Sequence, residues 1–249
     1  MKISVIIPNW NNDKWLERCL NSILRQTYQP EEIIIADDCS NDESRRILHY
    51  FLIKYNKIKL IFLDERRFNG GSRNMALDNA IGDYIFYLDS DDYIARNNLF
   101  EEISQYKGID CIRLNYIRED INKKEAFILN NGSLEEITSD CNVACWLKVT
   151  KRELCPRFPE NTLMEDVIYH LKLMDRVETF VNIIDPAIVW NRLNTNSVSK
   201  SNSDKWCSSL YRYYADLKDL EVEKPYCEKE RQRRLEMAYN NIKNDKFVC

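Results

Sequence analysis

Short apolar runs alternate along the first part of the chain with longer segments whose apolar residues recur every three or four positions. Parallel strands joined by helices leave this pattern. Ile3 to Pro8 reads as a buried first strand. Asn11, Asn12 or Asp13 then offers a cap to a helix whose Leu16, Cys19, Leu20, Ile23 and Leu24 form one core-facing stripe, and Gln26 to Pro30 ends it. Glu32 to Ala36 is a second strand, Asp42 to Tyr55 a second helix, and Ile58 to Leu63 a third strand, apolar enough to predict cover on both faces. A helix is expected after Asn69-Gly70-Gly71 to about Ala80, and a fourth strand over Tyr84 to Leu88.

Beyond Asn97 the pattern loosens into a helix over Asn98 to Tyr106, strands over Asp110 to Ile117 and Ala126 to Leu129, a polar turn at Asn130-Asn131-Gly132, and a helix after Glu165. The last fifty residues are highly charged, with Trp206, Leu210, Tyr213, Tyr214 and Leu217 at helical spacing. With no repeat and no flexible linker, the expected partition is one domain over 1–199, in halves 1–97 and 98–199, followed by a helical extension over 200–249.

Composition narrows the function classes. The 249 residues are 44% hydrophobic and 31% charged, enough for a sizeable core, and the net charge of -4 disfavours nonspecific nucleic-acid binding. No apolar run approaches the roughly 20 residues that span a bilayer, and MKISVIIP shows no cleavage pattern, so a cytoplasmic location is expected. Nine cysteines are an odd number without a C-x-x-C pair; Cys141 and Cys145, the nearest pair, read as packed thiols on a helix. His49 and His170 lie far apart, against a histidine metal site.

Three of the strands end in polar clusters: Pro8-Asn9-Trp10-Asn11-Asn12, Asp37 to Asp42, and Asp89-Ser90-Asp91-Asp92. Open parallel sheets bind ligands beyond the carboxyl ends of their strands, so these clusters should share one crevice. Packed carboxylates repel unless neutralised, and Mg²⁺ or Mn²⁺ is commonly shared between such a group and a diphosphate; alone, the acidic turn reads better as a solvated helix cap, and the neighbouring clusters change that weighing. Asp37 or Asp38 could accept the imide N–H of a uracil or a ribose hydroxyl, and Arg73 could pair with an anionic part of the same ligand. Asp42 has the simpler role of capping the next helix.

SVIIPNWNN at 4–12, IIIADDCSNDES at 33–44 and SRNMALDNAIGDYIFYLDSDD at 72–92 together resemble the inverting family 2 glycosyltransferases. Thinner likeness follows at Trp146-Leu147-Lys148, Phe158, Met164 to Val167, Trp190-Asn191-Arg192 and Asn196 to Ser199. The resemblance implies an α/β protein of the GT-A fold, a three-layer α/β/α sandwich with a mostly parallel central sheet and a C-terminal helical tail. It implies a nucleotide-binding half over 1–97 and an acceptor-binding half over 98–199.

By the same resemblance Asp38 contacts the base, Pro8 and Asp37 line its pocket, Arg73, Asp89 and Ser90 bind the nucleotide-sugar, and Asp91 holds Mn²⁺ or Mg²⁺. Asp166 is the implied general base, its plainer role being a first-turn helix acid; Glu165 beside it orients the base, binds an acceptor hydroxyl or points into solvent, and Trp146 either offers a face to the acceptor sugar or packs as a core aromatic. A UDP-sugar donor and a bacterial surface glycan or lipid-linked glycan acceptor are expected. Lys148 and Arg192 could neutralise phosphate, or be ordinary surface charges. Cys39 and Ala76 stand where the family commonly has Gly, which implies altered backbone angles; the loop from Arg66 to Gly71 looks short, and no histidine near 190–199 adds a metal ligand.

The alternatives fit less well. A haloacid-dehalogenase-type phosphohydrolase carries Thr or Val where Asp92 stands, usually on a first strand. Nucleotidyl transfer and NAD binding want a glycine-rich loop after the first strand, where Pro8-Asn9-Trp10 lies. An inactive nucleotide-sugar or glycan-binding module is opposed by the presence of both Asp91 and Asp166. The tail stripe and the run Arg231-Gln232-Arg233-Arg234 could touch a membrane or another subunit, with packing onto the main domain the simpler expectation. Oligomeric state is not specified by these features.

Overall fold

In the computed structural model, residues 1–129, 132–139, 143–162, 164–195 and 203–243 are described, the side chains of 203–208 excepted. The Asn130-Asn131 turn, Cys141, the Asn196 to Ser199 segment and the Trp206 side chain therefore lie outside the described residues. Strands β1 (Ile3–Asn9), β2 (Glu32–Asp37), β3 (Ile58–Phe62) and β4 (Tyr84–Tyr87) are joined by helices α1 (Asp13–Leu24), α2 (Ser44–Lys54) and α3 (Phe68–Asp78). They pair in parallel in the order β3-β2-β1-β4. Then come β5 (Tyr93–Ile94), α4 (Leu99–Ser104), the β6 (Cys111–Asp120) and β7 (Lys123–Phe127) hairpin, α5 (Leu134–Ser139), β8 (Lys148–Lys151), α6 (Glu165–Met174) and β9 (Phe180–Asn191). The sheet continues from β4 through β8, β6 and β9 to β5, giving nine strands among the described residues, with β7 attached to β6.

Alternation along β1 builds the two cores. Ile3, Val5 and Ile7 pack beneath Leu16, Leu20 and Ile23 of α1, Leu48 and Phe51 of α2, and Phe100 of α4. Ile6, Ile34 and Ala36 face Ala76 of α3 and Tyr169, Leu173 and Met174 of α6 on the other side. Three layers result, as expected; each fully buried Leu or Ile contributes about 1.5–3 kcal/mol of transfer free energy.

Several local expectations are corrected. The third strand is an edge, so its cover is incomplete and Lys59 and Phe62 are exposed. The third helix begins at Phe68, ahead of the glycine pair, because Gly70 lets the Pro159 carbonyl lie against the helix: a Cβ there would sit 2.3 Å from that oxygen. Cys145 opens a 3-10 turn, Cys145–Leu147, not an α-helix. Asp42 accepts the Ser44 N–H at 3.0 Å, and also the Asp13 N–H at 2.9 Å, so one carboxylate serves two helix starts.

The tail forms α7 (Ser203–Lys218) and α8 (Pro225–Lys243). Leu210, Tyr213 and Leu217 bury against Val167, Ile168 and Leu171 of α6, so this part of the stripe faces the sheet domain. The basic run is paired within α8, Arg231 with Glu228 and Arg233 and Arg234 with Glu230. No helix among the described residues is long and apolar enough to cross a membrane.

Candidate active site

The three polar clusters meet at the carboxyl ends of β1, β2 and β4. Asn9 ends β1, and its amide donates to Asp37 Oδ1 at 2.9 Å and to Ser40 Oγ at 3.2 Å, tying the first two loops together. Asp37 also accepts the Ser40 N–H and Arg45 Nε, and is fully buried. Pro8 lies inside β1 opposite Ala36, below these loops. Cys39 has φ +60°, the left-handed conformation that glycine adopts freely and other residues adopt at a cost. Ala76 is buried in α3.

Asp38 is covered as well. Its Oδ2 accepts Arg66 Nε at 2.8 Å, its Oδ1 accepts the Arg67 N–H at 2.7 Å, and 4% of its side chain is exposed. The Arg66 guanidinium lies on Trp10, 3.7 Å from the ring centroid, with Phe68 at 5.3 Å.

Beyond β4, Ser90 is buried and accepts Asn12 Nδ2 at 2.7 Å. Asp91 is only partly buried by its neighbours and Oδ2 accepts Asn194 Nδ2 at 2.7 Å; the same amide donates to Asn12 at 3.0 Å. Asp92 accepts the Asn191 N–H at 2.8 Å, which fastens the acidic loop to the end of β9. Burial, and then the charge of Asp89, push the Asp91 carboxyl up to about 6. Among the described residues no cationic side chain pairs with this carboxylate, and no cluster of three metal-binding side chains forms. A hard divalent cation fits such a donor set: Mg²⁺ and Mn²⁺ are held by one or two carboxylates, with the remaining positions taken by phosphate oxygens and water.

Arg73 connects this loop with α6. Its guanidinium is 1% exposed and donates to Asp89 at 2.7 Å and Glu165 at 2.8 Å, with Asp166 at 3.6 Å. Arg73 and Glu165 lie underneath, while Asp89 and Asp166 keep 26% and 27% of their side chains in water. One cation thus presents two acids, from opposite halves of the chain, to the same opening. Burial raises the Asp166 carboxyl, opposed by Arg73 and by a hydrogen bond from the Cys145 thiol, and reinforced by Asp89. Burial likewise raises Glu165, and the charge of Asp166 adds to it. An elevated carboxyl with an open face is suited to accept a proton near neutral pH.

Two expectations do not join this group. Trp146 is 7% exposed and packs edge-on to Tyr116 and tilted to Trp190, in the core and not on an open wall. Lys148 is buried and donates to the Val143 and Ala144 carbonyls, and Arg192 lies over Trp190. Sequence reading missed Arg66, Cys145 and Asn194 as members of the site; Asn191 lay in the Trp190-Asn191-Arg192 segment of likeness, where it was given no role. Only Arg66 left a signal, a cation one loop away from the acid pair.

The profile of Glycosyl transferase family 2 matches residues 4–129. Glycosyltransferase GlyG of Streptococcus pneumoniae serotype 4 is 36% identical over 121 residues, 47% of this chain and 40% of that protein. Poly(ribitol-phosphate) beta-N-acetylglucosaminyltransferase TarS of Staphylococcus aureus is 36% identical over 102 residues, 40% of this chain and 18% of TarS. The chain therefore spans less than half the length of these curated relatives. The crystal structure of TarS 1-349 in complex with UDP-GlcNAc superposes with a TM-score of 0.79 at 20% identity, over 99% of this chain and 75% of that one. The mannosyltransferase PcManGT from Pyrobaculum calidifontis, in complex with GDP-Man and Mn²⁺, superposes with a TM-score of 0.66 at 16% identity, over 96% and 73%. At these identities the structural likeness establishes the shared fold.

Proposed function

The chain belongs to glycosyl transferase family 2, and from that premise we propose that it transfers a sugar from a nucleotide-sugar to an acceptor hydroxyl, with inversion. The observation that carries this is the Arg73 clamp, which sets Asp89 of the donor half and Asp166 of the acceptor half on one guanidinium. Residues 1–97 hold the donor in this reading, and 98–199 the acceptor.

Asp166 takes the proton of the acceptor hydroxyl as it attacks the anomeric carbon, a contribution of about 10²–10⁴-fold. Attack from the side opposite the leaving group inverts the configuration. Glu165 holds the clamp from below, and Arg73 keeps the base oriented while its charge limits how far the carboxyl rises. Asp37 and Asp38 line the base seat, Asp89 and Ser90 the ribose side, and Asp91 would hold Mn²⁺ or Mg²⁺. Such a cation, when bound, offsets charge on the departing nucleoside diphosphate.

UDP-GlcNAc in TarS and GDP-Man in PcManGT leave two donor bases open; the nearer likeness to TarS, with a TM-score of 0.79 against 0.66, supports UDP. The polymer acted on by TarS supports a bacterial surface glycan as acceptor class. The test is calorimetric titration of nucleoside diphosphates and nucleotide-sugars with Mn²⁺, Mg²⁺ or chelator, on the parent and Asp91→Ala. Metal-dependent binding of one nucleotide series, lost in Asp91→Ala, is expected. Absence of binding under every condition would remove the donor site, and with it the transferase reading.

A further inference from the structure

Asp38, the acid assigned to the donor base, is closed to any ligand in this conformation. With 4% of its side chain exposed, both of its oxygens are taken, one by Arg66 Nε and one by the Arg67 N–H. Arg67 turns its own guanidinium away to Glu65 at 3.3 Å, so among the side chains it is Arg66 that lies over the carboxylate. A guanidinium is flat, carries N–H donors and stacks on aromatic rings. Here it lies on Trp10 and donates to a buried carboxylate. A nucleobase with an imide N–H would make the same two contacts, face to ring and N–H to carboxylate.

We propose that Arg66 is a built-in competitor for the base seat, an autoinhibitory contact that a nucleotide donor must displace in order to reach Asp38. The inference rests on the nucleotide-sugar reading above and goes beyond it by assigning a residue that lowers donor affinity. The device has a local support: Phe68 at φ +56° forms the turn that brings Arg66 and Arg67 back over Asp38 before α3 begins. About a third of the Arg66 side chain is exposed, so the way out to solvent is open without unfolding the loop. A charge-assisted hydrogen bond added to a cation–π contact favours the closed form by about tenfold, and apparent affinity falls by the fraction of molecules that are open.

The experiment uses the whole chain and UMP with chelator, a probe that carries base and ribose without any metal contribution. Dissociation constants are measured by calorimetry for the parent, Arg66→Ala, Arg66→Gln and Arg66→Lys, with melting curves to confirm that each is folded. UMP should bind Arg66→Ala and Arg66→Gln about tenfold more tightly than the parent, with Arg66→Lys between, since it keeps the charge but loses the planar fork. Either neutral variant suffices if the other fails to fold. Pyrophosphate with Mn²⁺, which does not use the base seat, should bind all of them alike. Equal or weaker UMP binding by the neutral variants, with the parent binding, would overturn the competitor role and leave the nucleotide reading standing. If no nucleoside phosphate binds the parent or any variant, with or without metal, the transferase reading falls and this inference with it.

Discussion

Replacing Arg73 by Met separates the charge of the buried clamp from its bulk. Met fills much of the same volume, but Asp89, Glu165 and Asp166 lose the cation they share at 2.7, 2.8 and 3.6 Å. Breaking a buried pair from one side costs about 3–5 kcal/mol. Asp89 and Asp166, at 26% and 27% exposed, recover part of that through water, whereas Glu165 at 8% does not. The expected loss therefore lies near the lower limit, about 3 kcal/mol at about pH 8. Glu165 supplies the pH dependence. Its carboxyl is already pushed up to about 7, by burial first and the Asp166 charge second, with Arg73 opposing. Removing Arg73 raises it further, so the folded variant holds a proton that the unfolded chain releases from its ordinary value of 4.5. Stability of the variant relative to the parent then falls as pH rises through about 7 and recovers below it, where both hold the proton. Urea unfolding followed by circular dichroism at about pH 5 and about pH 8 measures both effects, and a domain stability of about 5–15 kcal/mol keeps the variant folded. A loss under about 1 kcal/mol, or the same loss at both pH values, would refute a charge role for the clamp.

Other perturbations separate competing effects by sign. Gly70→Ala gains about 1 kcal/mol of helix propensity, yet its Cβ would lie 2.3 Å from the Pro159 carbonyl oxygen, so a net destabilisation of about 1–2 kcal/mol is expected in urea; a stabilised variant would show that the Phe158–Pro159 segment yields freely. Lys148 is 2% exposed, and burial lowers its ammonium to about 8 from 10.5. The unfolded chain thus holds the extra proton between those values, and the parent gains stability as pH rises, by about 2 kcal/mol from pH 8 to 10; a difference from Lys148→Met that stays constant over that range would contradict this. Because burial raises the Asp166 carboxyl, the acid limb of kcat/KM for sugar transfer should lie above the ordinary carboxylate range. A limb at about pH 4 in the parent, or substantial turnover by Asp166→Asn, would remove Asp166 as the base.

The first half of the fold was legible because strands covered on both faces read as unbroken apolar runs and the helices between them carry clean stripes. The inserted strands were not. β8 is Lys-Val-Thr-Lys with its first lysine buried, and β9 contains Asp185-Pro186 where its ladder with β6 is interrupted between Leu114 and Tyr116. Both would be read as loop by period alone. The site divides the same way. The strand-end clusters are local in sequence and stood out, whereas Arg66 on Asp38, Arg73 on Glu165 and Asn194 on Asp91 span 28, 92 and 103 residues. Trp146 shows the limit from the other side: its aromatic surface is equally suited to a sugar or to a core, and neighbours distant in sequence, Tyr116 and Trp190, decide it.

The bonds from Asn191 and Asn194 to the acidic loop also fix an order of assembly. Asp89 and Ser90 are held by Arg73 and Asn12, which precede them in the chain, but the anchors of Asp91 and Asp92 are made about a hundred residues later, after β8, which lies between β4 and β6. A nascent chain holding β1 to β4 has the β3-β2-β1-β4 ladder complete, while β4 still presents an unpaired edge and the Asp91 carboxylate lacks the Asn194 amide that holds it. Closing so long a loop costs only slightly more entropy than closing a short one, but it delays the step. The geometry of the acidic loop is thus completed late in synthesis, when β9 docks, so a chain cut short after residue 129, where the family match ends, keeps the strand-end acids without the bonds that fix Asp91 and Asp92.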